Sequence, residues 1–274
     1  KVRIVMRVDG EEVDVSQITL GANSSTQVLF PCSFETAGSH TVEISASADD
    51  PLITDNRMAA AFNIWDTIPV LLVDGDPSGQ PLKSETDFLA VALTPFTFGR
   101  VRLADLVETQ TINPTELNGE LLQSSRVVVL ANVAKLDDAQ LTALTAYVEQ
   151  GGALLITAGD RLDLNWYRER LFADGAGLLP APFGAMLGQI DDESTTARIV
   201  AERFDHPSLE FFNTPAIGNL SKAEFRRWMK LELIEESDTQ NDVTNSVLAR
   251  LDTGDPLLLE RRVEQGVVIQ LATT

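Results

Sequence analysis

Residues 126–160 constrain this chain more than any other stretch, because they read strand, helix, strand with little room between them. The run RVVVLAN at 126–132 is apolar, β-branched and too short for a helix, which predicts a strand buried on both faces. A helix follows. Asp137 is a suitable N-cap, Asp138 places negative charge in the first turn, and Leu141, Leu144, Tyr147 and Val148 share one face. Gly151 and Gly152 end that helix, and ALLIT at 153–157 reads as the next buried strand. Two buried strands bridged by one amphipathic helix form a βαβ unit, hence a parallel sheet whose ligand edge lies at the carboxyl ends of its strands. That edge carries Asn132, Ala158, Gly159 and Asp160, with no Cys, Ser or His among them.

The 274 residues, 44% of them hydrophobic, suffice for one large or two ordinary domains. Lys and Arg number 21 against 41 Asp and Glu, a net charge of −20 that repels a phosphate backbone, so nucleic acid is not an expected partner. Lys222, Arg226, Arg227 and Lys230 are the nearest thing to a basic patch, and an acidic run follows them at 232–238. The single cysteine, Cys32, excludes an internal disulfide, a four-cysteine zinc site and a Cys-x-x-Cys redox pair. No apolar stretch approaches the roughly 20 residues of a membrane span. The sequence opens and closes in strand-like text, which suggests a piece of a longer protein.

Residues 1–66 show short alternating runs and no helical period, which predicts an all-β module closed as an immunoglobulin-like sandwich of about seven strands. Val2, Ile4, Met6 and Val8 alternate up to a turn at Asp9 and Gly10, and QVLF at 27–30 gives a third run. TVEIS at 41–45 is the clearest alternation, and AFNIW at 61–65 the last. The GSHTVEI stretch at 38–44, followed by Asp55 and Asn56, resembles the CARDB-like, immunoglobulin-type modules of bacterial surface proteins. His40 reads as a strand-start residue and Cys32 as a small half-buried one.

From residue 67 the pattern changes to α/β. VLLV at 70–73 is a buried strand ending in the turn formed by Asp74, Gly75, Asp76 and Pro77. A helix is expected over 84–93 with Ser84 as cap and Asp87 at its third position, then a weak strand over 100–106 and a short helix from Pro114 to Leu122. Beyond Asp160 the reading gives a short helix over 164–172, a loop over 175–182, an edge strand over 198–200 and strands over 246–251, 257–263 and 267–271. This order predicts a three-layer α/β sandwich over 67–274, truncated at its C-terminus, with an antiparallel extension.

The α/β text resembles the class I glutamine amidotransferase-like superfamily, a flavodoxin-like fold, in the copies found in large membrane-anchored bacterial proteins beside BatA-type and von Willebrand A-type domains. The stretches that carry the resemblance are VLLVDGD at 70–76, VLAN at 129–132, YVEQGGALL at 147–155, Ala158 to Asp160, His206 with Pro207, and GDPLLLER at 254–261. It implies an extracytoplasmic location, a membrane-anchored parent protein held through segments outside this chain, and protein partners that include von Willebrand A-type domains. Active members place a cysteine straight after the strand equivalent to 153–157, with a His and a Glu late in the chain. Here Thr157, Ala158, Gly159 and Asp160 offer no thiol, and His206 is followed by Pro207 and Ser208. A hydroxyl without a histidine partner is not an activated nucleophile, so no enzyme activity and no cofactor are expected.

Bacterial receiver domains offer a second comparison. Asp74, Asp76 and Thr157 match their acidic pair and conserved hydroxyl, but Asn132 stands where the phosphoacceptor carboxylate is required, and an amide cannot form an acyl phosphate. What remains is a strand-end cluster of Asp74, Asp76, Asn132, Gly159 and Asp160, with His206 as a further ligand-binding candidate. Its oxygen ligands suit Mg²⁺ or Ca²⁺, with Asp74, Asp76 and Asp160 as the metal candidates, yet Asp, Asn and Gly are also ordinary turn residues after strands. The expected function is a non-catalytic binding or assembly region. The alternative is a hydrolase that uses Asp74, Asp76, Asp160 or a bound divalent metal in place of the cysteine.

Overall fold

The computed structural model describes residues 1–48, 53–97, 105–191, 196–200, 203–214, 218–233 and 245–273. The chain divides into two compact units, Lys1–Thr67 and Ile68–Thr274.

Unit 1 contains β1 (Val2–Val8), β2 (Glu11–Ile18), β3 (Gly38–Ser47) and β4 (Arg57–Ile64), joined as one antiparallel sheet in the order β2-β1-β3-β4. Asp9 and Gly10 turn the β1–β2 hairpin with positive φ, as such a tight connection requires. One face is charged, with Arg7 near Glu12 and Glu43 and Arg57 paired to Glu43. The other is apolar, and Ile4, Met6, Val42, Ile44 and Phe62 line a cavity of about 510 Å³ beneath Val28, Phe30 and Phe34. The expected two-sheet immunoglobulin-like sandwich is therefore corrected: among the described residues unit 1 is a single four-stranded sheet. Residues 27–30 cross its apolar face without pairing in any ladder, so no second sheet forms.

Unit 2 is built on β5 (Ile68–Asp74), β6 (Val107–Ile112), β7 (Val127–Ala131), β8 (Ala153–Thr157), β13 (Asn245–Arg250), β14 (Pro256–Val263) and β15 (Gly266–Leu271). They form one mixed sheet in the order β13-β14-β15-β8-β7-β5-β6, parallel from β15 to β6 and antiparallel from β15 to β13. The helices are α1 (Asp87–Leu93), α2 (Gly119–Ser124), α3 (Asp138–Glu149) and α4 (Leu164–Trp166), the last continuing into a π turn over Tyr167–Phe172. Short antiparallel pairs, β9 (Phe183–Gly188) with β12 (Arg227–Leu231) and β10 (Ala197–Arg198) with β11 (Glu224–Phe225), occupy the crossover from β8 to β15.

Strand alternation gives the sheet two buried faces. Leu71, Val73, Val128, Leu130, Leu154, Ile156 and Val268 belong to the larger core, which Leu122, Leu144, Tyr147 and Val148 of α2 and α3 close. Val70, Leu72, Val129 and Ala131 belong to a smaller one, covered by Leu89, Ala90 and Leu93 of α1. α3 begins where the sequence placed it, with Asp137 accepting from the Gln140 N–H and Gln140 bonding back to the Asp137 N–H. The expected helix from Pro114 to Leu122 is broken, because Asn118 caps a new start by accepting from the N–H groups of Glu120 and Leu121. The strand expected over 100–106 falls mostly outside the described residues, and β6 is the strand that pairs.

The flavodoxin-like three-layer sandwich expected for this unit is also corrected. Among the described residues the β8-to-β15 crossover supplies short helical turns and two extra antiparallel pairs in place of regular covering helices, while the antiparallel extension expected at the end of the sheet is present as β14 and β13. The sequence over 175–231 lacks a sustained 3.6-residue apolar period, in keeping with the absence of a long helix among the described residues of that stretch.

Candidate functional site

β5 leads by way of α1 to β6 on one side, and the chain then returns past it to β7 on the other. The β5–β7 junction is therefore the switch point at which an open α/β sheet leaves a crevice beyond its strand ends. Asp74 is in register with Ala131, and Ala131 with Thr157, so the three close one row on the α1 face of the sheet.

Asp74 is buried, and its carboxylate is fully engaged. Oδ1 accepts from the Asp76 N–H at 2.9 Å, the turn geometry expected of Asp before a tight bend, and Oδ2 accepts from the Thr86 hydroxyl at 2.7 Å. Asn132 follows β7 with φ of 50°, a left-handed conformation that asparagine tolerates, and has no exposed surface. Its Nδ2 donates to Glu85 Oε1 at 2.8 Å and to Asp160 Oδ1 at 3.2 Å, and its Oδ1 accepts from the Arg161 N–H at 2.9 Å. Arg161 in turn pairs with Asp76 at 2.5 Å.

Glycine is required twice around that amide. A β-carbon on Gly75 would stand 2.0 Å from the Asn132 carbonyl oxygen, and one on Gly159 would stand 2.0 Å from Asn132 Cγ. The strand ends thus close over Asn132. Thr157 beside them is buried, and its hydroxyl finds no hydrogen-bond partner among the described residues.

The structure therefore brings Asp74, Asp76, Asn132, Gly159 and Asp160 together. It places His206 elsewhere: its Nε2 lies 3.1 Å from Glu260 on β14, whose other oxygen meets Arg262 at 3.3 Å, and its Nδ1 accepts from the Ser208 N–H at 3.3 Å. Among the described residues, no group of three or more His, Cys, Asp or Glu side chains is arranged to hold a metal ion. Glu85, Thr86 and Arg161 were absent from the sequence reading. Glu85 and Thr86 precede a helix and carry no motif, whereas Arg161, a cation adjoining Asp160, could have been picked out as a counter-charge.

Unit 2 is a mixed-sheet α/β domain. No protein-family model matches the chain, and no curated protein matches it. Its fold is similar to that of the cytoplasmic protein STM1381 from Salmonella typhimurium LT2, at 16% identity and a TM-score of 0.51, over 75% of this chain and 88% of that one. The cytoplasmic protein STM3548 from Salmonella typhimurium follows at 12% identity and a TM-score of 0.49, over 76% and 87%. A ThuA-like protein from Bacteroides uniformis matches at 14% identity and a TM-score of 0.43, over 76% and 82%. At these identities the likeness is one of fold alone.

These findings correct two expectations. The resemblance to a CARDB-like module followed by the amidotransferase-like domain of BatA-associated proteins has no support from a family match, and the described residues of unit 1 form a single sheet where it implied a sandwich. The extracytoplasmic, membrane-anchored location rested on that resemblance alone and falls with it. Among the described residues no helix is long and apolar enough to cross a membrane, which leaves β-barrels unaddressed.

Proposed function

We propose that this chain is a non-catalytic binding module whose partners are proteins. The observation that carries this reading is the filling of the switch-point crevice by Asn132, with no surface left open and every polar atom of its amide engaged. A hydrolase built on Asp74, Asp76 or Asp160 needs a carboxylate within reach of a substrate or water. Here Asp74 is buried and held by the Asp76 N–H and Thr86, while Asp76, paired with Arg161, and Asp160, bonded through one oxygen to Asn132, reach solvent but meet no histidine or thiol among the described residues. A net charge of −20 disfavours nucleic acid and favours a protein surface of opposite sign.

The test is a pair of measurements on the whole chain. Incubation with glutamine and with a p-nitrophenyl ester is expected to give no turnover above background. Titration calorimetry with Mg²⁺ and Ca²⁺ is expected to give no heat attributable to the cluster. Turnover that disappears in Asp160→Ala or Asp76→Ala would overturn the reading in favour of the hydrolase.

A further inference from the structure

The two edges of the unit 1 sheet are built differently. β2 carries Glu11, Glu12 and Asp14 in its first half, the charged treatment that keeps an edge strand from pairing with another chain. β4, with the sequence RMAAAFNI, has no acidic residue, and its one charge, Arg57, sits at its first position paired with Glu43. All but its last residue are exposed, Met58 at 77% and Phe62 at 46%. Met58 and Ala60 lie opposite Ile44 and Val42 of β3, so Met58, Ala60 and Phe62 continue the apolar face that lines the cavity.

We infer that β4 is the interface through which two copies of this chain pair, antiparallel and edge to edge, about a two-fold axis at Ala60. Two-fold antiparallel pairing sets residues of the same face opposite each other, so the axis must pass through a residue position. With the axis at Ala60, Met58 of one copy meets Phe62 of the other, Ala59 meets Ala61, and Arg57 meets Asn63. No like charges are opposed, and the strand's two most exposed large apolar side chains cover each other in a sulfur–aromatic contact. The chain's charge argues for this edge over the other, because two copies at −20 repel and only an uncharged strip lets them meet. Pairing through β2 would instead carry six carboxylates, three from each copy, into one interface.

Light scattering on the whole chain across the micromolar range is expected to show a monomer–dimer equilibrium. Ala60→Lys sets two ammonium groups opposite each other on an exposed position and should raise the dimer Kd roughly fivefold or more. In a Cys32→Ser background, Ala60→Cys should form an intermolecular disulfide on air oxidation, whereas Ala59→Cys, facing Ala61 of the second copy, should not. A protein that stays monomeric at every concentration overturns the inference. So does a dimer whose Kd Ala60→Lys leaves unchanged, or one that cross-links through position 59 and not through 60.

Discussion

Gly159 and Asn132 occupy one space: a β-carbon on the glycine would lie 2.0 Å from Cγ and 2.1 Å from Oδ1 of the asparagine. The two residues belong to loops after different strands, so their fit fixes how β7 and β8 end relative to each other. Gly159→Ala must displace the buried amide and break its bonds to Glu85, Asp160 and Arg161, a loss of roughly 2–4 kcal/mol in urea denaturation. In an Asn132→Gly background, where glycine accepts the left-handed backbone and leaves the space free, the same substitution should cost under about 1 kcal/mol. Equal costs in the two backgrounds would refute the coupling.

Thr157→Val should stabilise unit 2 by about 1 kcal/mol, because it removes a buried hydroxyl that has no partner and keeps the branched shape. Denaturation midpoints of the two proteins give the answer. A destabilisation of that size would mean that the hydroxyl serves a buried water or a ligand.

Tyr167→Phe tests the support beneath Asn132. The fully buried Tyr167 hydroxyl donates to the carbonyl oxygen of Val133 at 2.8 Å, and burial pushes the phenol well above its ordinary 10, so it stays a neutral donor. Its removal leaves a buried carbonyl unpaired and should cost about 1–3 kcal/mol, read by thermal or urea unfolding. An unchanged midpoint would show that the bond contributes nothing.

Unit 1 should lose stability at both ends of a pH window set by Asp9 and His40. The Thr41 N–H and the His40 ring hold Asp9 below its ordinary 3.8, while the Asp9 carboxylate and the Thr36 carbonyl hold His40 above its ordinary 6.5. Both ring nitrogens face acceptors, Nδ1 at 2.6 Å from Asp9 and Nε2 at 2.9 Å from Thr36, which calls for the doubly protonated ring. The contribution of Asp9 is present above 3.8 and is lost as pH falls through its lowered value. The contribution of His40 is present below 6.5 and is lost as pH rises through its raised value. An NMR titration placing the His40 ring at or below 6.5 would contradict this, and His40→Ala should abolish the alkaline limb.

The βαβ core was legible because its signals are local. A β-branched run, an Asp137–Gln140 capping box and the glycines at 151 and 152 each act within a few residues, and α3 starts at the predicted cap. Asp74, Asp76 and Asp160 were legible as strand-end residues for the same reason. Glu85 and Thr86 were not, since they reach Asn132 and Asp74 only once α1 has packed against the sheet. The Glu260 partner of His206 was not legible either, since β14 brings it to the histidine only in the folded chain. The second sheet expected in unit 1 failed because apolar alternation at 27–30 shows that a segment is half-buried, and says nothing about which strand it would pair with.

The crossover from β8 to β15 also orders events in time. β8 ends at Thr157 and its parallel neighbour β15 begins only at Gly266, yet the two lie side by side in the middle of the sheet. As the chain leaves the ribosome, β5, β6, β7 and β8 can assemble early, with the uncharged ALLIT strand as their open border. Closing that border waits on a contact between distant parts of the chain, the slow kind in folding. β13, β14 and β15 are joined by short connections, so their pairing is local while that of β15 with β8 is not. During that wait the border of β8 is where a nascent chain is most exposed to pairing with a neighbour, and where a chaperone would do most good.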